Sequence, residues 1–428
     1  MNRLHHALTQ RDTHQVRGVY SVCSANEYVL RAAMSHAGRL GIDLLIEATS
    51  NQVDQYGGYT GMTPAVFRQW VETLAAEESF PLGQLHLGGD HLGPNAWQAL
   101  PAAEAMARAD VLIDAYVRAG FSKIHLDCSM RCADDQAVLS EALIAERAAR
   151  LCAVAESAAV DIGLSDEMAY VIGTEVPVPG GETSLGGGVA VTRPEAAAST
   201  IEAHRQAFIA AGLASAWSRI MALVVQPGVD FDHTSVQQYT PANAVALTRM
   251  IDAYPSMVFE AHSTDYQPEA ALTALVRDRF AILKVGPGVT HALREGWFAL
   301  AAIEREVVSA ECYSALPDVL DSVMIAQPKY WQKYYQGDAQ LQLWLRRFSF
   351  SDRSRYYWGD AKVMEALNRM IQNLRQTAIP LCVLSQYMPE QYQAVLLGEL
   401  DSDPVALARH KVERVLNQYA RACGVATT

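Results

Sequence analysis

The sequence predicts an α/β chain folded as a (β/α)8 TIM barrel with a helical C-terminal extension, and three observations carry that expectation. Eight short runs rich in Val, Ile and Leu alternate with longer helical patterns up to about residue 300. Polar and ionisable residues gather at the C-terminal ends of those runs, where such a barrel places its chemistry. Beyond them the β rhythm stops and the chain reads as helices separated by loops. The expected division is 1–304 for the barrel and 305–428 for an extension packed on it. A doubly wound open sheet is the alternative, but no G-x-G-x-x-G follows the first run.

The runs are GVYSVC (18–23), DLLIEA (43–48), QLHLGGD (84–90), KIHLDC (123–128), AYVIGTE (169–175), RIMALVVQ (219–226), MVFEAH (257–262) and AILKVG (281–286). Between them, Thr63-Pro64 and Thr240-Pro241 each place a capping hydroxyl before a proline whose missing N–H costs nothing at a helix start. Met106, Ala109, Ile113 and Tyr116 follow the spacing of a buried helix face that closes on Gly120. Thr192 and Glu195 have capping-box spacing.

Composition bounds the function. Of 428 residues half are hydrophobic, and 34 basic against 47 acidic side chains leave a net charge of −13. That balance disfavours nucleic acid and anionic membrane as partners. The opening MNRLHHALTQRDTHQ has no apolar signal core, and no apolar stretch reaches membrane-spanning length, so a cytoplasmic location is expected. Seven cysteines form an odd set without metal-knuckle spacing, and Cys128 and Cys132 read as ordinary buried thiols. Anionic small molecules stay open, because a few N–H groups and cations hold a phosphate whatever the net charge.

The strand ends supply the candidates. Run two ends at Glu47, run three at Asp90-His91, run four at Asp127 with Ser129 beyond it, run five at Glu175 and run six at Gln226. Run seven carries Glu260 and His262, which alternation places on one face, and run eight carries Lys284. Imidazoles and carboxylates converging in a barrel mouth make an oxygen-and-nitrogen site for a divalent ion, zinc first, with Mg, Mn, Co or Ni also compatible. His91, Glu175 and His262 are the expected ligands, with Glu260, Gln226, Lys284 and Ser129 behind them or on substrate. Gly286 and Gly288 precede a helix, so their N–H groups, with Thr290 and Ser263, form a candidate phosphate site. The loop VPVPGGETSLGGGV (176–189) has the glycine content of a lid, or of a plain surface excursion.

The segment 328–358 is dense in aromatic residues and reads as packing against the barrel or a partner subunit. Within it, Arg353 and Arg355 are candidates to close the phosphate end, since arginine suits bidentate phosphate binding.

The blocks LIEATSNQVDQYGGYTGMTP, GGDHLGPN, AGFSKIHLDCSM, YVIGTEVPVPGG, FEAHSTDYQ, FAILKVGP and SDR.RYYW resemble the Z-subunit family of tagatose-1,6-bisphosphate aldolase (GatZ/KbaZ-like) across nearly the whole chain. The resemblance implies a role in galactitol, N-acetylgalactosamine and tagatose catabolism. Members are known as partners that stabilise and activate a catalytic class II aldolase subunit, and others as tagatose-6-phosphate 4-epimerases. An older kinase label in the family finds no phosphate loop or kinase signature here. The barrel also resembles the catalytic class II aldolases: Asp90-His91 matches their Asp-His pair and His262 a strand-seven ligand. Where those enzymes take a histidine after an IGT turn, this chain has Glu175, still a donor for a divalent ion but a departure that bears on aldolase activity.

Three roles then compete: a metal enzyme acting on a phosphorylated ketose, a non-catalytic stabilising partner of an aldolase subunit, and a phosphate-ligand sensor. The expectation is a Z-type subunit, oligomeric, with its own site. Inverting C4 of a 2-ketose cannot start at the C4 hydrogen, which is not α to the carbonyl. Without a dinucleotide fingerprint, nicotinamide oxidation is not expected, and reversible C3–C4 cleavage is. Asp90 is the preferred acid/base, with Asp127 and Glu47 as alternatives.

Overall fold

The computed structural model of the chain describes residues 2–9, 17–174, 186 and 188–426. The eight runs form parallel strands: β1 (Val19–Val22), β2 (Leu44–Thr49), β3 (Leu85–Leu92), β4 (Lys123–Leu126), β5 (Ala169–Ile172), β6 (Ile220–Val224), β7 (Val258–Ala261) and β8 (Ile282–Val285). They close into a barrel in the order β1-β8-β7-β6-β5-β4-β3-β2. Helices Glu27–Leu40, Pro64–Glu77, Ala102–Arg118, Glu141–Ile162, Pro194–Ala210, Pro241–Ile251, Glu269–Arg277 and Pro287–Val307 follow the strands in turn, the last continuing past residue 304. The fold is the (β/α)8 barrel expected. A small hairpin, Asp230–Phe231 against Val236–Gln237, was not predicted, because two-residue strands leave no alternation to read.

Local signals fared unevenly. Thr63 caps its helix, accepting from the Val66 N–H ahead of Pro64, whereas Thr240 makes no capping bond. The capping box at 192–195 does not form. Arg193 is the cap residue, and Thr192 exchanges two hydrogen bonds with the end of β6 instead: its N–H donates to Gln226 O (2.9 Å) and its Oγ1 accepts from Gln226 N–H (2.9 Å). Two bonds that pin a loop to the sheet displace the one a helix N–H offers.

The barrel interior is stratified. Its floor is apolar, built from Leu45, Ala169, Val171, Met221, Val258 and Ile282, and Leu4 from the helix Arg3–Thr9 joins that cluster. One step along the strands the lining becomes charged. Register places Glu47 beside Gly88 and Gly88 beside Lys123, and a Cβ at position 88 would lie 2.5 Å from Glu47 Oε1. Glycine there lets Lys123 Nζ reach Glu47 Oε1 at 2.6 Å across the middle strand.

The chain after the barrel folds back over its helices and mouth. Helix Pro404–Ala422 packs on Pro287–Val307 so closely that a Cβ on Gly296 would approach Ala408 Cα to 3.1 Å. Tyr419 Oη donates to Thr264 O (2.8 Å), tying this helix to the loop after β7. Of the aromatic stretch, Trp331, Tyr335, Tyr357 and Trp358 are buried, while Trp344 and Phe348 are half exposed. No helix among the described residues is long and apolar enough to cross a membrane.

His204 gives the fold a measurable pH dependence. It is buried on helix Pro194–Ala210, its Nδ1 lies 2.8 Å from Thr200 O, and burial lowers its pKa from 6.5 to about 4. Below pH 6.5 the unfolded chain takes up a proton that the folded chain refuses until about pH 4, so stability falls as pH drops through that window. His204 accounts for about 3 kcal/mol of that fall. Chemical denaturation of wild type and His204→Leu between pH 7 and 4 should show the variant with the shallower loss; equal slopes would refute the assignment.

Candidate active site

Four buried charges support the mouth. Lys123 Nζ lies 2.6 Å from Glu47 and 2.7 Å from Glu260, and Lys284 Nζ contacts Glu47, Asp90 (3.0 Å) and Glu260 (3.5 Å). Burial opposes the charge on Lys284, but Asp90, Cys23, Glu260 and Glu47 outweigh it and hold its pKa well above the lysine range. It is therefore an ammonium, not the free amine a Schiff base needs. Glu260 stays well below the carboxylate range, because Lys123 and Lys284 overcome its burial.

Above this layer three imidazoles meet. The ring centroids of His91, His125 and His262 lie 4.8–5.4 Å apart. Each ring lies against a carboxylate: His91 Nδ1 is 2.8 Å from Asp127, His125 Nδ1 is 3.1 Å from Asp90 and 3.3 Å from the His91 backbone N–H, and His262 Nε2 is 2.9 Å from Glu260. An imidazole whose one nitrogen donates to a carboxylate presents the other as a lone pair, which is the arrangement of metal-binding histidines. Among the described residues His125 Nε2 is buried with no partner, and with Nδ1 donating to Asp90 it is a lone pair that a cation would satisfy. One ligand atom from each of Asp90, His125, Glu260 and His262 falls within 4.8 Å of the others, so the residues present fit a divalent ion. His91 adopts φ +50°, turning its ring toward this cluster. Burial takes His262 down to about 4, and Asp90 and Asp127 raise His91 against its own burial.

Several expected roles are redrawn. Glu175 and most of the 176–189 loop lie outside the described residues. Asp127 is no free acid/base: one oxygen takes the His91 ring, and the other takes Ser129 N–H (3.1 Å) and Oγ–H (2.6 Å), so Ser129 serves Asp127 rather than substrate. Glu47 is committed to Ser21, Lys123 and Lys284 below the mouth. Gln226 Oε1 accepts from Gly228 and Val229 N–H (2.8 and 3.0 Å), which makes it a turn residue. Asp90 alone of the three candidate acids lines the cavity, and Lys284, His91 and His125 keep it well below the carboxylate range although burial pushes the other way.

That cavity, about 550 Å³, is bounded by Cys23, Asp90, His91, His262, Ser263, Asp265, Lys284 and Gly286 from the barrel, and by Lys333, Tyr334, Arg353, Arg355 and Tyr356 from the extension. Ser263 and the two arginines therefore share one pocket with the glycine loop. The loop's amides are already taken, however: Gly286 and Gly288 N–H both donate to Asp265 Oδ1, at 2.9 and 2.7 Å. Thr290 Oγ1 donates to Asp352 (2.7 Å) and is no phosphate ligand either. Arg353, buried, stacks on the Tyr334 ring and donates to Tyr330 O (3.1 Å), and its Nε has no partner among the described residues. Arg355 donates to Asp352 O (3.1 Å) and Tyr356 Oη (3.0 Å). Both guanidinium groups hydrogen-bond to neutral oxygens; Arg355 is half-buried and feels the Asp352 carboxylate, whereas Arg353 is buried without one on its guanidinium, which calls for an anion.

Sequence reasoning missed His125, Lys123 and Asp265. The alternation that paired Glu260 with His262 also puts Lys123, His125 and Asp127 on one face of KIHLD, so the signal for two of them was present.

A family model described as D-tagatose-1,6-bisphosphate aldolase subunit GatZ/KbaZ-like matches residues 4–424. The chain is 46% identical to a probable tagatose 6 phosphate kinase from Sinorhizobium meliloti 1021 of known crystal structure, with a TM-score of 0.88 over 95% of this chain and 100% of that one. Weaker likenesses include the YdjI aldolase from Escherichia coli K12, 12% identical with a TM-score of 0.42 over 88% and 97% of the two chains. Another is a fructose-bisphosphate aldolase from Campylobacter jejuni, 14% identical with a TM-score of 0.43 over 87% and 92%.

The histidine cluster predicts that gently purified protein carries about one divalent ion per chain. Elemental analysis should find it lost from both His125→Ala and His262→Ala while far-UV circular dichroism stays that of the wild type. Full metal content in both variants would remove the cluster from consideration.

Proposed function

We propose that this chain, which belongs to the GatZ/KbaZ-like family of D-tagatose-1,6-bisphosphate aldolase subunits, has a metal-dependent ketose-phosphate site of its own that interconverts D-tagatose 6-phosphate and fructose 6-phosphate at C4. The observation that carries the reading is the place of Asp90: a carboxylate in the cavity wall, 3.0 Å from the Lys284 ammonium and 3.1 Å from His125. His125 and His262, with Glu260, would hold the ion, zinc before Mg, Mn, Co or Ni given imidazole donors, and His91, an expected ligand, stands beside that group rather than in it. Its contribution when bound is Lewis-acid polarisation of the C2 carbonyl.

The chain's own residues do the rest. Asp90 takes the proton of the C4 hydroxyl, the C3–C4 bond breaks, and its electron pair passes to C3 as an enediolate while C4 becomes an aldehyde. Lys284, a fixed ammonium beside Asp90, offsets the charge that develops. Arg353 and Arg355 keep the three-carbon aldehyde phosphate in the cavity while its carbonyl turns over. Re-addition to the other face inverts C4, and Asp90 returns its proton to the C4 oxygen. No nicotinamide is consumed.

A second reading, a non-catalytic partner that stabilises a catalytic class II aldolase subunit, is favoured by one surface. Leu341, Trp344 and Phe348 form a half-exposed apolar stripe at helical spacing on Ala339–Phe348.

The isolated chain should interconvert the two 6-phosphates with no added nicotinamide and lose activity on chelation, followed by NMR. In deuterated water the products should keep their C4 hydrogen, which travels with the aldehyde. Asp90→Asn should cost about 10²–10⁴ in kcat with metal retained. No turnover by folded, metal-loaded protein, together with a raised Tm for an added aldolase subunit, would favour the partner role.

For the phosphate end, Arg353→Ala should raise KM for a phosphorylated sugar at least tenfold more than for its unphosphorylated form. Equal effects would remove that role from Arg353.

A further inference from the structure

The glycine loop after β8 holds an anion that belongs to the protein. Asp265 is 3% exposed, lines the cavity, and places Oδ1 on the N–H groups of both Gly286 and Gly288 at the start of helix Pro287–Val307. The fit is close: a Cβ on Gly288 would lie 2.9 Å from that oxygen. Barrel enzymes commonly seat a substrate phosphate on such amides. The carboxyl is pushed up to about 6 because burial outweighs its two amide bonds, so negative charge is already hard to keep at this point.

Of the two arginines, Arg355 lies on the cradle side, where it acts on Asp265 and shares a cleft with Cys23 and Thr290, and Arg353 reaches away from it. Arg353 shares a second cleft with Asn51, Tyr59, Ala96 and Trp97, which follow β2 and β3. Asp265 and Gly286 follow β7 and β8, and in the ring of eight β3 stands four places from β7, directly across the mouth. A six-carbon chain centred on the histidines thus has one end toward Arg353 and one end where a carboxylate already fills the amides.

We infer that Asp265 is a specificity-determining residue, whose carboxylate fills the amide cradle, keeps phosphate off the C1 end and selects ketoses with a single distal phosphate over bisphosphates. The inference rests on the ketose-phosphate reading for its substrate and on the cradle geometry for its mechanism. Removing the carboxylate frees two convergent N–H groups in a space the size of the lost side chain, so a phosphate site should appear there.

Calorimetric titration of the full-length chain with inorganic phosphate, fructose 6-phosphate and fructose 1,6-bisphosphate tests it. Wild type should bind the 6-phosphate at least tenfold tighter than the bisphosphate. Asp265→Ala should shrink that preference at least tenfold and gain an inorganic-phosphate site that wild type lacks. Asp265→Asn, which keeps an oxygen for the amides, should fall between and serves if the alanine variant does not fold. A wild type that prefers the bisphosphate, or folded variants with unchanged preference and no added phosphate site, would overturn the inference. Should wild type bind neither sugar phosphate, the ketose reading fails on that ground alone, and the inorganic-phosphate arm still decides the cradle.

Discussion

Two ammonium groups and two carboxylates buried in the barrel interior set the terms for everything above them. Glu47, Lys123, Glu260 and Lys284 come from four strands distant in sequence, and their charges are met chiefly by one another, with Ser21, Asp90 and His262 at the margin. Leaving any one of them unpaired costs about 3–5 kcal/mol, so the layer is an all-or-none constraint on strand register. It explains why β3 carries glycine at 88, where any side chain would part Glu47 from Lys123. It also fixes the floor of the site. Lys284 reaches up to Asp90 and Glu260 to His262, so the charged layer and the imidazoles are one hydrogen-bonded body.

How far the sequence discloses this depends on the distance between partners. The strands are legible because each apolar run is bounded by its own turn residues, and the closed ring follows from their count and rhythm. His262 with Glu260 is legible because alternation is local. Lys123 and Glu47 are 76 residues apart, and nothing in either run says that they pair; a carboxylate at a strand end then reads as a free acid. Gly286 and Gly288 mislead for the same reason. Their spacing announces an anion but cannot say whose, and the anion arrives from the preceding βα loop. The capping box at Thr192 fails because a sheet partner outcompetes a helix end.

The extension belongs to the mouth as much as to the outside of the barrel. Asp352, with φ +40°, ties Thr290 and Arg294 of the last barrel helix to the turn that carries Arg353 and Arg355. Tyr59 from the loop after β2 packs its ring on Tyr356 at 4.7 Å, and Tyr330 stacks on the same ring. Guanidinium groups lie over aromatic faces here, Arg353 on Tyr334 and Arg355 on Tyr356, so the arginines are held in place before any ligand arrives.

That wall has a kinetic meaning. Once a carbon–carbon bond opens in the cavity, the aldehyde fragment can turn and recombine or diffuse out, and the ratio of those rates decides whether a barrel of this kind isomerises its sugar or splits it. On the proposed reaction the bond-breaking groups are Asp90 and its neighbours at the strand ends and the outer wall is residues 333–356, so the two rates would be encoded in separate stretches of chain. On that reaction, exchange of the wall alone would shift the balance between splitting the sugar and isomerising it, with the bond-breaking residues untouched.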